Sequence, residues 1–95
     1  MDLDDAIIKK VWSKALVVPK FNHAKFRKDT CGAWIRFDKH GDRKSKYGWE
    51  IDHIDPDGSD ALTNLRPLQW ENNLARGDGK LDCVVTAKGK RNVNV

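Results

Sequence analysis

The N-terminal segment has the apolar spacing of an amphipathic helix. Over residues 4–16 the apolar side chains recur at intervals of three and four, while lysines occupy the opposite side. Asp2 or Asp4 is placed to cap the first turn. Pro19 ends the segment, because the residue before a proline is pushed out of the helical region. The pattern predicts one helix that packs on the core.

Shorter apolar runs bounded by Gly, Asp and Asn predict strands. They cover residues 33–37, 49–54, 65–68 and 81–86. Pro67 cannot donate to a sheet ladder, so its strand must be an edge or very short. Residues 70–76 suit a brief helix that crosses a hairpin of the two preceding strands. The basic tail 87–95 either adds an edge strand or stays unpaired. Together these elements predict an α+β fold.

Length and composition limit the architecture. A chain of 95 residues forms one domain, residues 1–95, with a thin core. Its tryptophans are expected to anchor that core, with Phe21 and Phe26 as further tethers. The four are Trp12, Trp34, Trp49 and Trp70. Neither signal peptide nor membrane span is visible, which predicts a soluble, cytoplasmic protein.

The cysteines and two isolated histidines carry little functional signal. Cys31 and Cys83 have no Cys-x-x-Cys partner, which argues against a zinc knuckle. We expect free buried thiols, with a single disulfide as the alternative. His23 and His40 lie in polar or turn-rich surroundings and are expected to be exposed.

Charge favours a polyanionic partner. The net charge is +4 and the pI is near 9.2. Acids gather at 52–60, between basic stretches at 39–46 and 88–91. An acidic centre flanked by bases suits a metal pocket on a phosphate-binding surface, although an ordinary solvated surface is the alternative. The candidate phosphate contacts are Arg43, Lys44, Lys46, Arg66 and Arg76.

The central run brings together groups suited to phosphodiester hydrolysis. Histidine has a pKa near neutral, so His53 suits the base that takes a proton from water. The Asp52 carboxylate and the Asn73 amide oxygen suit a hard divalent cation. Glu50 is a weaker candidate, and its alternative is an exposed strand residue. Strand alternation would send Asp52 and His53 to opposite faces, so the strand is expected to end or twist there.

The run from Trp49 to Asp78 resembles the HNH nuclease family, whose ββα-metal fold is a hairpin crossed by a helix that holds one divalent cation. In that family an Asp-His pair ends the first strand and an Asn-Leu begins the second. A histidine follows nine residues after the asparagine. Here Asp52-His53 matches the pair, Asn64-Leu65 matches the middle element, and Asn73 replaces the final histidine.

The resemblance implies a role for each matched residue. Asp52 and Asn73 would hold the metal, His53 would be the general base, and Asn64 would pin the loop and orient His53. An amide oxygen favours Mg²⁺ or Mn²⁺ over zinc. The expected function is a DNA endonuclease, with RNA as a further substrate and a homodimer or larger partner as options. The alternatives are a catalytically silent nucleic-acid-binding module and, more weakly, a structural metal-binding domain.

Overall fold

Short helices and paired strands alternate along the chain. The computed structural model describes residues 3–77 and 79–95. Within them three antiparallel sheets form, β1 with β2, β3 with β4, and β5 with β6. The elements are α1 (Asp5–Trp12), β1 (Phe26–Lys28), β2 (Trp34–Arg36), β3 (Trp49–His53), β4 (Leu65–Gln69), α2 (Trp70–Ala75), β5 (Val85–Lys88) and β6 (Arg91–Asn94). This is a small α+β domain, as predicted. Asp2 and Asp78, which the sequence assigned to a cap and to the motif's end, lie outside the described residues.

Helix α1 is shorter than the predicted 4–16. It begins at the Asp4 cap, whose carboxylate accepts a 2.8 Å hydrogen bond from the Ile7 N–H, and it ends at Trp12. The Arg27 guanidinium then donates to the Ser13 and Ala15 carbonyls at 3.1 and 3.3 Å. The Leu16 N–H also donates to the Lys28 carbonyl of β1 at 2.8 Å instead of to the Trp12 carbonyl, so the chain leaves the helix early and runs beside β1.

The core forms where α1 meets the β3–β4 hairpin. It consists of Val11, Trp12, Ala15, Ile35, Trp49 and Leu65, with Ile7, Ile8, Phe37 and Ile51 packed against it. Trp12, Trp34 and Trp49 are buried, as predicted, whereas Trp70 is half-buried and donates its indole N–H to the Ser45 carbonyl at 2.9 Å. No helix in the described ranges is long and apolar enough to cross a membrane.

A buried polar network holds α2 in place. Asp29 is 1% exposed, and its two oxygens accept backbone N–H groups at positions 31, 33 and 69 and the Asn72 amide. Burial raises the pKa of Asp29 against these hydrogen bonds. Asn72 in turn accepts the N–H groups of residues 84–85. The start of α2 is therefore tied both to the turn before β2 and to the chain entering β5.

The expectation of free thiols is wrong, because Cys31 and Cys83 form a disulfide with a Cα–Cα distance of 5.5 Å. Beside it, the Thr86 hydroxyl donates to the Cys31 carbonyl at 3.0 Å. The bond joins the turn before β2 to the segment before β5, which the Asn72 contacts bring alongside. Spacing along the chain carries no information on this approach.

The C-terminal tail forms an edge hairpin, one of its two predicted outcomes. Val85 pairs with Asn94 in its register, and the strand predicted over 81–86 begins only at Val85. The Trp34 indole N–H donates to the Gly89 carbonyl at 2.7 Å, while the Asn92 side chain bonds the Trp34 backbone. These contacts hold the hairpin turn against β2.

Candidate functional site

The β3–β4 hairpin separates the two motif residues that sequence reasoning placed together. Regular pairing runs to the end of β3, with Asp52 opposite Arg66 and His53 opposite Leu65. Since successive side chains alternate, His53 shares a face with the core residue Trp49, whereas Asp52 shares the other face with Glu50. The strand ends at His53 as expected, but without a twist that reunites the pair.

Asp52 lies buried between two arginines. Its side chain is 1% exposed, and one oxygen accepts a 2.7 Å hydrogen bond from Arg66 Nε while the other forms an ion pair with Arg76 Nε, also at 2.7 Å. Arg66 comes from the facing strand and Arg76 from the end of α2. Arg66 Nη2 and Arg76 Nη1 are buried and have no hydrogen-bond partner within the described part of the chain. Two residues predicted to touch phosphate thus neutralise the predicted metal ligand.

Asn73 contacts Glu50. Its Nδ2 donates to Glu50 Oε1 at 3.0 Å. Arg43 adds two hydrogen bonds to the same carboxylate, at 2.8 and 3.0 Å, and these bonds lower the pKa of Glu50. The side chain of Glu50 is 19% exposed, so the alternative of an exposed strand residue does not hold. The sequence signal for Glu50 as a site residue is strand alternation, which places its side chain on the same face as Asp52.

His53 has a carboxylate partner of its own. Its Nε2 lies 2.7 Å from Asp60 Oδ1, and 30% of its side chain is exposed. Asp60 lies in the acidic stretch at 52–60, where the sequence singles out none of the loop aspartates. A histidine at a strand end followed by a carboxylate-rich loop was the available signal, but which aspartate returns to the ring depends on the loop's path.

Asn64 sets that path. Its Oδ1 accepts the Asp55 N–H at 2.9 Å, and its Nδ2 donates to the Asp55 and Ser59 carbonyls at 3.0 and 2.8 Å. The three hydrogen bonds clamp the loop that carries Asp60. Asn64 therefore pins this loop. Its side chain bonds to Asp55 and Ser59, and the same loop carries the Asp60 carboxylate that contacts His53.

The expectation that His40 is exposed is wrong. Its ring is half-buried and packs edge-on against Trp49, with ring centroids 4.8 Å apart. Burial lowers the pKa of His40, although the nearby Glu50 charge partly offsets this. The backbone bridge between His40 and Trp49 draws the turn inward. His23 is exposed, as predicted.

Most of the predicted phosphate contacts are engaged inside the domain. Arg43 binds Glu50, and Lys46 binds Glu71 at 2.9 Å and Asn94 at 2.8 Å. Arg66 and Arg76 share Asp52. Lys44 is exposed. Because surface ion pairs are weak, Arg43 and Lys46 exchange these partners for phosphate more readily than the buried arginines do.

The side of β3 that faces α2 carries the candidate ligands for a divalent cation. Within residues 3–77 and 79–95, no cluster of three or more His, Cys, Asp or Glu side chains is suited to a metal. The smaller set of Asp52, Glu50 and Asn73 offers only oxygen ligands, which fits Mg²⁺ or Mn²⁺ and disfavours zinc. A cation there must compete with Arg66 and Arg76 for the Asp52 carboxylate.

Comparison of the chain with protein-family models, with curated proteins and with solved structures finds no match. A functional assignment therefore rests on the motif spacing and on the geometry of the β3–β4 hairpin, its loop and α2.

Proposed function

We propose that this domain hydrolyses phosphodiester bonds in DNA and that the β3–β4 hairpin with α2 is a ββα-metal core of the HNH type. His53 is the general base, and Asp52 and Asn73 hold one divalent cation. The observation that carries the proposal is the His53–Asp60 contact of 2.7 Å at the solvent-exposed end of β3. A partly exposed histidine oriented by a carboxylate is an arrangement suited to general-base catalysis.

The ring geometry gives each imidazole nitrogen a task. A neutral imidazole that donates its Nε2–H to Asp60 keeps the lone pair on Nδ1. Nδ1 then accepts a proton from water as the water oxygen bonds to phosphorus, and the bond from phosphorus to the leaving oxygen breaks. Asp60 holds the ring and stabilises the imidazolium that forms. The Asn64 clamp keeps Asp60 in position.

The ligands lie on the opposite face of β3 from His53, so the proposal requires the scissile phosphate to lie at the end of the strand, where it can reach both faces. When bound, the cation neutralises negative charge that builds up on the phosphoryl and leaving oxygens. Asp52 and Asn73 are the proposed ligands, and Glu50, hydrogen-bonded to Asn73, is a third oxygen donor on the same face. A guanidinium released from Asp52 becomes free to contact substrate phosphate, which joins ion binding to substrate binding.

Plasmid relaxation tests the proposal with a matched pair of histidine variants. We expect supercoiled DNA to be cleaved with Mg²⁺ or Mn²⁺, and His53→Ala to lose at least about 100-fold in rate, the usual size of a general-base contribution. His23→Ala, which changes an exposed histidine elsewhere, should cleave like the wild type. DNA binding by His53→Ala should persist. Equal cleavage by the His53→Ala and His23→Ala variants would refute His53 as the base.

A second candidate is a nucleic-acid-binding module without catalysis. The observation that favours it is the arginine beside each oxygen of Asp52, because a metal ion must compete with two guanidinium groups for that carboxylate. This alternative predicts DNA binding that is independent of divalent cations and no relaxation by wild type. Isothermal titration of Mg²⁺ or Mn²⁺ separates the two, since the nuclease proposal requires binding that Asp52→Asn abolishes.

A further inference from the structure

A cavity lined by aromatic rings lies away from the residues of the proposed catalytic site. Its volume is about 300 Å³, and its walls come from the segment before β1, from β1 and β2, from the loop before β3 and from the β5–β6 turn. The lining residues are Phe21, Phe26, Trp34, Arg36, Tyr47 and Lys90. We infer that this cavity binds one unpaired nucleobase of a nucleic-acid strand.

The rings provide a wall suited to a flat aromatic ligand. The Phe21 and Trp34 centroids lie 4.8 Å apart, and Phe26 meets Trp34 edge-on at 6.4 Å. Trp34 gives its indole N–H to the Gly89 carbonyl, so the polar atom of the ring is already satisfied. The main core cluster around Trp49 is built from other residues. These rings form a separate aromatic patch that borders a cavity.

Cations stand at the cavity beside the rings. The Arg36 side chain is 43% exposed and its guanidinium lies 5.7 Å from the Phe26 centroid, and Asp38, its charge partner within the described residues, is 55% exposed. Lys90 is exposed at the hairpin turn, between Lys88 and Arg91. Rings next to cations suit a ligand with an aromatic plane and a negative charge. A neutral apolar ligand would not use the cations, and an inorganic anion would not use the rings.

Size and access select an unpaired base. The volume is at the lower end of the range for small-molecule sites, about 300–1,000 Å³, so it admits one base with its sugar. A base inside a duplex has both faces stacked and its pairing edge occupied, and it reaches a cavity only when unstacked. Base–aromatic stacking tolerates any sequence, because every base has a π-face.

The inference names a substrate class, single-stranded or locally unpaired nucleic acid. It rests on the proposed function for the nucleic-acid partner alone, because binding a base requires neither hydrolysis nor a cation. The two ideas therefore fail separately, as long as base binding is measured in EDTA and repeated with the His53→Ala variant.

Tryptophan indole resonances provide the readout. Full-length ¹⁵N-labelled protein is titrated in EDTA with dAMP, and with ribose 5-phosphate as the ligand that lacks a base. We expect dAMP to shift the Trp34 Nε1–H signal while Trp12, Trp49 and Trp70 stay in place as internal controls. Ribose 5-phosphate should produce less than a fifth of that shift. Equal shifts from both ligands, or dAMP shifts at Trp70 instead of Trp34, would overturn the inference.

Variants at Tyr47 and Lys90 make the test specific. Tyr47→Leu should weaken dAMP binding at least about fivefold, the lower end for loss of one stack, whereas Tyr47→Phe keeps the ring and should bind like the wild type. The exposed Lys90→Ala variant should weaken dAMP but not the uncharged nucleoside. Unchanged affinity in Tyr47→Leu would sink the proposal. So would benzyl alcohol shifting Trp34 as strongly as dAMP at equal concentration, since the cavity would then be a general apolar site.

Discussion

Replacing Asp52 by alanine is expected to destabilise the domain severely, whatever its effect on catalysis. The substitution leaves Arg66 and Arg76 charged, each with a side chain only 16% exposed. One nitrogen of each guanidinium is already buried without a partner in the described residues. Removing one member of a buried pair costs about 3–5 kcal/mol, because the remaining charge stays desolvated. Here two charges share a single acceptor, so the upper half of that range applies.

Urea unfolding followed by tryptophan fluorescence measures this cost. At pH 7 Asp52→Ala should lose about 4–5 kcal/mol, a large share of the roughly 5–15 kcal/mol that holds a domain together. Asp52→Asn keeps one acceptor oxygen and should lose less, which provides a measurable variant if the alanine protein does not fold. Asp57→Ala changes an exposed carboxylate of the neighbouring loop and should stay within about 0.5 kcal/mol of wild type.

Salt dependence distinguishes a buried charge cluster from a surface pair. Buried charges are poorly screened, so raising the ionic strength should leave the difference between wild type and Asp52→Ala nearly unchanged. A loss below about 1 kcal/mol, the range of exposed ion pairs, would contradict the reasoning. In that case the arginines would not depend on Asp52, and the carboxylate would be free for another ligand.

Two further measurements probe the scaffold and the site. The disulfide closes a loop with a sequence separation of 52 residues. In the chain-entropy account the Cys31→Ser/Cys83→Ser variant should therefore lose about 4 kcal/mol of unfolding free energy. A wild-type urea midpoint that reductant leaves unchanged would refute this. Arg43 lowers the pKa of Glu50 below its ordinary value of 4.5. The ionised carboxylate therefore stabilises the fold at a pH above 4.5, and this stabilisation is lost as the pH falls through the lowered pKa. The stability difference between wild type and Glu50→Gln should therefore shrink on acidification, and a difference that is constant with pH would contradict it.

Local patterns determined the positions of most elements. The three- and four-residue spacing predicted α1, the paired apolar runs predicted β3 and β4, and the segment after Gln69 formed the predicted brief helix. Boundaries moved where distant groups intervened, as when the Leu16 N–H, which a longer α1 would donate to the Trp12 carbonyl, donates to the Lys28 carbonyl instead. Periodicity depends on contacts within a few residues, and the sequence displays these directly.

Side-chain partners were a different matter, because several partners were available to each charged group. Asp52 and Asn73 were predicted as one ligand pair, yet Asp52 binds Arg66 and Arg76, and Asn73 binds Glu50. Strand alternation already placed Asp52 and His53 on opposite faces. Alternation does not determine which arginine, lysine or amide side chains of other elements contact those residues.

The sequence alone determined the α+β elements, the β3–β4 hairpin and the motif with its spacing. Each follows from short-range sterics and from the alternation of apolar and polar residues. The tertiary structure alone decided the Cys31–Cys83 bond, the Asp60 partner of His53 and the aromatic cavity beside Trp34. Each of these joins groups whose separation in space depends on how the whole chain packs, and no local pattern encodes that distance.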